Sequence, residues 1–316
     1  MLIVKNLNKS FGPFKAVSNF NLTIGREEFI CLVGPDGAGK STTLRILAGL
    51  EKPDSGEIEL FGKKVVTFTS GLRTRIGYLP QNFSLYGDLT VEENLKFFAG
   101  LYGQHSPEEL IKSLLEFTRL GPFKDRQADQ LSGGMKQKLS LACTLVHQPE
   151  LILLDEPTTG VDPVSRRDFW QILFSLQREG KSILMTTPYL DEAERATRVA
   201  LMNQGQLLAF DTPEKLIASL PGKVLELVSP ESRVIYQHLK TDRAFLDVQL
   251  RGDRVDFLVS KEYQEEILKK SLVDKNLSWE DLAEISPSLE NVFIYLLKKE
   301  NPGRENGDIN GIGSHS

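Results

Sequence analysis

Short apolar or alternating segments, interrupted by glycine and proline, make up the start of the chain. Segments of this kind are typical of β-strands, in which successive side chains point to opposite faces of a sheet. The pattern predicts four early strands, over residues 2–7, 16–24, 29–33 and 56–60.

Helix-start signals dominate the middle of the chain. Thr90 and Glu93 have the spacing of a capping box ahead of an apolar run, in which each residue satisfies a backbone donor at the helix start. Ser106 and Glu109 have the same spacing, with Pro107 at the first helical position. We therefore expect two capped helices in this region.

Two later segments, residues 151–154 and 182–186, are rich in apolar side chains without polar alternation. Such segments are typical of strands that are buried on both faces of a parallel sheet. Each one precedes a helix start, at Asp162 and at Asp191. Because strands alternate with helices here, the sequence predicts an α/β core.

A break at Pro221 and Gly222 divides the chain into two parts. We expect a main domain over residues 1–220 and a smaller α+β appendage over residues 221–300. The last segment, residues 301–316, has few large apolar residues. It therefore buries too little surface to fold, and we expect a disordered tail.

The composition narrows the function classes. The formal net charge of −5 argues against a nucleic-acid-binding protein, because such a protein presents a strongly basic surface. Cys31 and Cys143 are too few for a disulfide framework and are expected to be buried thiols in a cytoplasmic protein. No apolar run reaches the ~18 residues of a membrane span, so work at a membrane would need a partner.

A glycine-rich segment follows the third predicted strand and opens a helix. Its pattern, G-x-x-x-x-G-K-S, is Walker A in a strand–loop–helix context, which predicts a loop whose backbone N–H groups cradle phosphates. We expect Lys40 to pair with the β- and γ-phosphates and Ser41 to ligate Mg²⁺. The nucleotide-binding residues predicted here are Gly34, Pro35, Asp36, Gly37, Ala38, Gly39, Lys40, Ser41 and Thr42.

Two carboxylates, Asp155 and Glu156, follow the apolar strand over residues 151–154. The carboxyl end of a parallel strand is where ligands bind in open α/β sheets. We therefore expect Asp155 to hold Mg²⁺ and Glu156 to orient or deprotonate the attacking water, in the manner of a Walker B segment.

The segment L-S-G-G-M-K-Q, residues 131–137, lies between these two motifs. It resembles the signature of the ATP-binding-cassette (ABC) ATPases. The resemblance implies that ATP is sandwiched between two cassettes, so that dimerisation depends on nucleotide. It places Ser132, Gly133 and Gly134 of one chain at the γ-phosphate held by the other, where a helix N-terminus favours an anion.

Three further positions match marks of the same family, within residues 1–220. Phe11 matches the aromatic residue that stacks on adenine, although an ordinary core phenylalanine is the alternative. Gln81 matches the Q-loop glutamine, which touches Mg²⁺ or the catalytic water in a loop facing the transmembrane partner; a solvated loop residue is the alternative. Asp162 matches the D-loop residue at the dimer interface and also has the position of a helix N-cap.

One position departs from the family pattern. After the last core strand the family has Ser/Thr-His-x-x-x-Glu-Ala, whose histidine contacts the γ-phosphate, whereas here Pro188 takes the place of the histidine. Proline has neither a side-chain donor nor a backbone N–H, and losing one preorganised donor costs about 10²–10³ in rate. We therefore expect tight nucleotide binding with weak hydrolysis, unless Glu156 alone suffices. The intact signature would still complete a competent site on a partner that has the histidine.

The appendage also carries a family-like element. The segment S-L-E-N-V-F, residues 288–293, is similar to a C-terminal element of drug- and antibiotic-export ATPases, and the alternative is a capped amphipathic helix start. The resemblance implies a P-loop ABC cassette, with a RecA-like α/β core, an antiparallel β subdomain and a helical subdomain, followed by the α+β appendage.

The implied function is that of an ATP-hydrolysing motor subunit of an ABC transporter of the export type. Its cofactors would be ATP and Mg²⁺, and its partners a separate transmembrane permease and a second cassette, identical or different. It would lie at the cytoplasmic face of the membrane through the permease. The alternatives are a soluble ABC ATPase without a transport role and a nucleotide-dependent regulatory subunit with little hydrolysis.

Overall fold

The computed structural model describes residues 1–82 and 85–300. The chain divides into two units between Phe210 and Asp211, ten residues before the expected boundary. The boundary moves because the helix Pro213–Ala218 packs against the C-terminal helix Leu289–Glu300 and so belongs to the second unit. The tail expected over 301–316 lies outside the described residues.

The first unit, Met1–Phe210, alternates strands with helices. In chain order its elements are β1 (Leu2–Phe11), β2 (Phe14–Ile24), β3 (Phe29–Val33), α1 (Lys40–Leu47), β4 (Ser55–Leu60), β5 (Lys63–Lys64), α2 (Ser70–Arg73), β6 (Ile76–Leu79), α3 (Val91–Leu101), α4 (Glu108–Phe117), α5 (Gly133–Leu145), β7 (Leu151–Asp155), α6 (Pro163–Arg178), β8 (Ser182–Thr187), α7 (Leu190–Ala193), β9 (Arg198–Asn203) and β10 (Gln206–Asp211). Two 3₁₀ turns, Gly121–Phe123 and Ala128–Gln130, lie between α4 and α5.

The strands of the first unit form two sheets. The core sheet has the strand order β10-β9-β3-β8-β7-β6, and β3, β8, β7 and β6 run parallel to their neighbours. The second sheet, β2-β1-β4-β5, is antiparallel. The α/β core and the antiparallel β subdomain are confirmed. Because β3, β8 and β7 share one direction, their carboxyl ends lie at a common edge, where a ligand site is expected.

The central strands of the core sheet are rich in apolar residues, which places them in the interior of the first unit. Every residue of β3, β7 and β8 is buried, as expected for strands covered by helices on both faces. Phe29 of β3 stacks on Trp170 of α6 with ring centroids 5.1 Å apart. No helix within the described residues is both long enough and apolar enough to cross a bilayer.

The two predicted capping boxes have different outcomes. The first is confirmed, since Thr90 Oγ1 accepts a hydrogen bond from Glu93 N–H at 3.2 Å and Glu93 Oε2 accepts one from Thr90 N–H at 2.8 Å. The second is wrong, because Pro107 is the N-cap of α4 and makes no side-chain cap. Ser106 has φ 57°, a left-handed conformation that differs from the extended backbone of an N-cap residue.

The second unit, from Asp211 onward, is a smaller α+β fold. Its elements are α8 (Pro213–Ala218), β11 (Gly222–Val228), α9 (Ser232–Leu239), β12 (Asp247–Arg251), β13 (Arg254–Ser260), α10 (Glu265–Asp274), β14 (Asp281–Ile285) and α11 (Leu289–Glu300). The strands form one antiparallel sheet in the order β12-β13-β11-β14. One face of this sheet packs with α9 and α10 in an apolar core that includes Leu225, Phe257 and Leu268.

The S-L-E-N-V-F element forms the start of α11. Ser288 N–H donates to Asn291 Oδ1 at 2.9 Å, and Asn291 N–H donates to Ser288 Oγ at 3.5 Å, so the two residues cap the helix reciprocally. Leu289 and Phe293 are fully buried. Asn291 Nδ2 also lies 3.5 Å from the buried Asp256 Oδ2. The element therefore combines a helix cap with an apolar anchor.

We predict that Ser288→Ala destabilises α11 by about 1 kcal/mol, the usual cost of losing an N-cap hydroxyl. Faster hydrogen exchange of the α11 amides would measure the effect. Ser260→Ala, at an exposed strand end in the same unit, is the matched control and should leave this exchange unchanged. Equal exchange in both variants would contradict the capping role.

Candidate active site

The glycine-rich segment, residues 34–39, is the turn between β3 and α1. Gly39 is the N-cap of α1 with φ 102°, and a Cβ atom at this position would overlap with the carbonyl oxygen of Ala16. Both the conformation and the space therefore require glycine. The first N–H groups of α1 have no side-chain cap, so they are free to receive an anion at the loop.

Lys40, the first residue of α1, is buried with only 4% of its surface exposed. Its Nζ donates to the carbonyl oxygens of Gly34 at 2.8 Å and Pro35 at 3.2 Å. The same Nζ lies 3.2 Å from Glu156 Oε1. The ammonium group therefore lies between the phosphate loop and the carboxyl end of β7.

Asp155 is the last residue of β7 and is almost completely buried. Its Oδ1 accepts hydrogen bonds from Ser41 Oγ at 2.9 Å and from Thr186 Oγ1 at 2.7 Å. Ser41 follows the phosphate loop and Thr186 lies on β8, so these bonds join three chain segments at one edge of the sheet. Asp155 and Ser41 are brought together as expected.

Glu156 follows directly and has φ 48°, a conformation that is uncommon outside glycine. Its N–H donates to Thr186 Oγ1 at 2.9 Å, which holds the backbone in this turn. Its Oε2 accepts a hydrogen bond from Gln81 Nε2 at 2.9 Å. Gln81 and Glu156 therefore meet, although they are 75 residues apart in the chain.

Comparison with known proteins identifies the family to which the chain belongs. The model of the family described as ABC transporter matches residues 17–159. "Probable multidrug ABC transporter ATP-binding protein YbhF" of Escherichia coli (strain K12) is 42% identical over 287 residues, which are 89% of this chain and 49% of that protein. "Nod factor export ATP-binding protein I" of Rhizobium sp. (strain N33) is 36% identical over 300 residues, 93% of this chain and 96% of that one.

A solved structure agrees with these relatives. The dimeric post-hydrolysis structure of the ATP-binding cassette MJ0796 bound to ADP and Pi matches with a TM-score of 0.60 and 30% identity. The match covers 67% of this chain and 98% of that one. The chain belongs to the ABC transporter family. The chain is an ATP-binding cassette, and the members of this family are ATPases. It spans about half the length of the E. coli relative.

The signature of this cassette lies at the start of α5. Ser132 is the N-cap, and its Oγ accepts a hydrogen bond from Met135 N–H at 3.3 Å. Gly134 packs so closely against α6 that a Cβ atom would overlap with the side chain of Ser165. A Cβ on Gly133, by contrast, would meet nothing within 4 Å. The signature is therefore in direct contact with the helix that follows the D-loop.

Two other sequence-predicted residues, Asp162 and Phe11, have their own local surroundings. Asp162 is the N-cap of α6, where its Oδ1 accepts from Ser165 N–H at 2.9 Å, and this hydrogen bond lowers its pKa. The N-cap interpretation is thus confirmed. Phe11 is 49% exposed at the tip of the β1–β2 hairpin, opposite Phe14. It is therefore not an ordinary core phenylalanine.

Pro188 lies between β8 and α7, next to a buried carboxyl group that the sequence analysis missed. Glu192 Oε2 accepts hydrogen bonds from Thr158 Oγ1 at 2.9 Å and Thr187 Oγ1 at 2.8 Å. Its Oε1 lies 3.4 Å from Arg166 Nε, and burial raises the pKa of the Glu192 carboxyl. This network fixes the loop around Pro188, and Pro188 contributes no donor to it.

Thr186 is the second functional residue that the sequence analysis missed. It is fully buried and its hydroxyl touches both Asp155 and Glu156. The sequence signal is weak, because threonine is common in β-strands for steric reasons alone. The pairing of Asp155 with Thr186 in the β7–β8 register decides the contact.

We predict that Gly134→Ala lowers the free energy of unfolding by about 1–3 kcal/mol, the cost of overpacking a tight contact. Gly133→Ala is the matched control in the same helical turn and should cause no loss, since its Cβ enters open space. Urea unfolding of both variants measures the difference. Ser165→Gly should rescue Gly134→Ala, and a failure to rescue would contradict the proposed contact.

Proposed function

We propose that this chain is the ATP-hydrolysing motor subunit of an ABC transporter of the export type. The observation that carries the proposal is the convergence of one lysine, one serine, one glutamine and two carboxyl groups at the carboxyl edge of the core sheet. These residues are Lys40, Ser41, Gln81, Asp155 and Glu156. The names of the relatives, a multidrug transporter protein and a Nod factor export protein, support the export type.

Each of these side chains has a role that its position supports. Lys40 would pair with the β- and γ-phosphates above the phosphate loop, since its ammonium group already lies among loop carbonyls. The backbone N–H groups of residues 34–42 would cradle the same phosphates. Glu156 would orient or deprotonate the attacking water, with Gln81 beside it. Phe11, exposed at its hairpin, would stack on adenine.

The residues present fit a magnesium ion. Ser41 Oγ and Asp155 Oδ1 lie 2.9 Å apart, and both are the hard oxygen donors that Mg²⁺ prefers alongside substrate phosphates. Ser41, Asp155 and Gln81 would hold it. Bound there, Mg²⁺ would neutralise the charge that develops on the phosphates.

A second cassette and a permease complete the proposed machine. The dimeric solved cassette supports closure of two cassettes around nucleotide, with Ser132, Gly133 and Gly134 of each chain reaching the nucleotide of the other and Asp162 at the interface. A transmembrane permease would hold the pair at the cytoplasmic face of the membrane. The region after Gln81 would transmit closure to it.

Pro188 favours a pair of cassettes whose two nucleotide sites hydrolyse ATP at different rates. Proline at position 188 has no side-chain donor, and the neighbouring Thr187 hydroxyl already donates to Glu192. The site built on Lys40 and Asp155 would therefore bind nucleotide and hydrolyse it slowly, while the signature completes a faster site on a partner cassette. The same observation favours a second candidate, a nucleotide-dependent regulatory subunit with little hydrolysis. Co-purification with a polytopic membrane protein supports the motor subunit, and its absence the regulatory one.

Calorimetry of Mg²⁺–ADP binding tests the site itself. We expect Lys40→Ala to weaken binding by about 10- to 100-fold, because a hydrogen bond to a charged group is worth ~1.5–3 kcal/mol. Lys64→Ala is the matched control, since Lys64 is an exposed lysine of the same unit. Equal affinity of the two variants would contradict the proposed function.

The role of Pro188 is tested by restoring the histidine. We expect Pro188→His to raise the ATP turnover of the purified protein by about 10²-fold, the value of one preorganised donor. Pro188→Ala frees the backbone without adding a side-chain donor, so it should leave turnover low. If the two variants turn over ATP at the same rate, the missing donor is not the cause of slow hydrolysis.

A further inference from the structure

Tyr78 places a hydroxyl group on the same face of the core sheet as Asp155. Strand β6 pairs in parallel with β7, and Tyr78 lies opposite Leu153. Asp155 is two residues beyond Leu153, and side chains two residues apart in a strand point to the same face. The register therefore directs the phenol and the carboxylate to a common region at the carboxyl edge.

The Tyr78 hydroxyl is buried and, among the described residues, makes no hydrogen bond of good geometry, although the side chains of Arg45 and Asp155 both lie near enough to interact with it. This is unusual, because the hydroxyl of a buried tyrosine normally makes one. Burial raises the pKa of the phenol, the charge of Asp155 raises it further, and Arg45 lowers it. A tyrosine hydroxyl is protonated at neutral pH, so this group is a hydrogen-bond donor close to the carboxyl group of Asp155.

The chain segment that carries Tyr78 also carries Gln81. Gln81 Nε2 donates to Glu156 Oε2 at 2.9 Å, and the register brings Tyr78 towards the preceding carboxylate, Asp155. One short segment thus directs two donors at two consecutive carboxyl groups. Meanwhile Asp155 Oδ1 accepts from Ser41 and Thr186.

We propose that Tyr78 is a positioning residue for the metal-binding carboxylate, donating a hydrogen bond to Asp155 directly or through one water. The inference rests on the proposed role of Asp155 in holding Mg²⁺. Partners of this kind orient the ligand, and their removal typically costs about 10- to 100-fold in metal affinity. A tyrosine that only fills space between β6 and the core would have no such effect.

The test compares ADP affinity with excess Mg²⁺ and with EDTA, measured by calorimetry on the full chain. Tyr78→Phe keeps the ring and removes the hydroxyl. We expect the Mg²⁺-dependent gain in affinity to fall by about tenfold or more, while the affinity in EDTA stays unchanged. In an Asp155→Asn background, Tyr78→Phe should have no further effect on this gain, which a merely structural role would not explain.

Tyr102→Phe is the matched control. Tyr102 is 43% exposed at the C-cap of α3, where burial raises the pKa of its phenol, and this variant should keep the full gain. If Tyr78→Phe keeps the full gain, the inference is wrong, and a higher resistance of this variant to urea would then show that the hydroxyl is only an unsatisfied group. If the parent itself shows no gain with Mg²⁺, the proposed function fails and the inference fails with it.

Discussion

The contact between Ser41 and Asp155 is the constraint on which the rest of the site depends. Ser41 follows β3 and Asp155 ends β7, and β8 lies between these two strands. The hydrogen bond forms because α1, which contains Ser41, packs against β7, and because the buried parallel strands β3, β8 and β7 end at one edge of the sheet. Thr186 of β8 bridges the gap by donating to the same oxygen of Asp155.

The burial of charge explains why this arrangement is so fully hydrogen-bonded. Lys40, Asp155 and Glu156 are each at least nine-tenths buried, and an unpaired charge in such a place is costly. The lysine pairs with Glu156, and the serine and threonine hydroxyls satisfy Asp155. One ammonium group thus faces two carboxyl groups. A divalent cation held at Asp155 would offset that excess of negative charge.

The sequence predicted the site better where a motif is contiguous than where contacts depend on register. The phosphate loop and the buried strands β3 and β7 follow from local pattern, because glycine, lysine and apolar runs have few other uses in that order. Thr186 and Tyr78 did not follow from it, because each acquires its neighbours through pairing with β7. The residues of β14 carry no alternating pattern that would predict a strand, since most of them are exposed. The capping box expected at Ser106 is absent, because the sequence spacing of Ser106 and Glu109 does not determine the backbone angle φ of Ser106.

The surroundings of Pro188 show that the departure from the family pattern is local. Thr158 follows the Walker B carboxylates, Thr187 ends β8 and Arg166 lies in the first turns of α6, and all three contact Glu192. The loop that carries position 188 is therefore fixed both to the segment that follows Asp155 and Glu156 and to helix α6. Among the described residues this framework is intact, so the departure at position 188 is confined to the side chain and the backbone N–H that proline lacks.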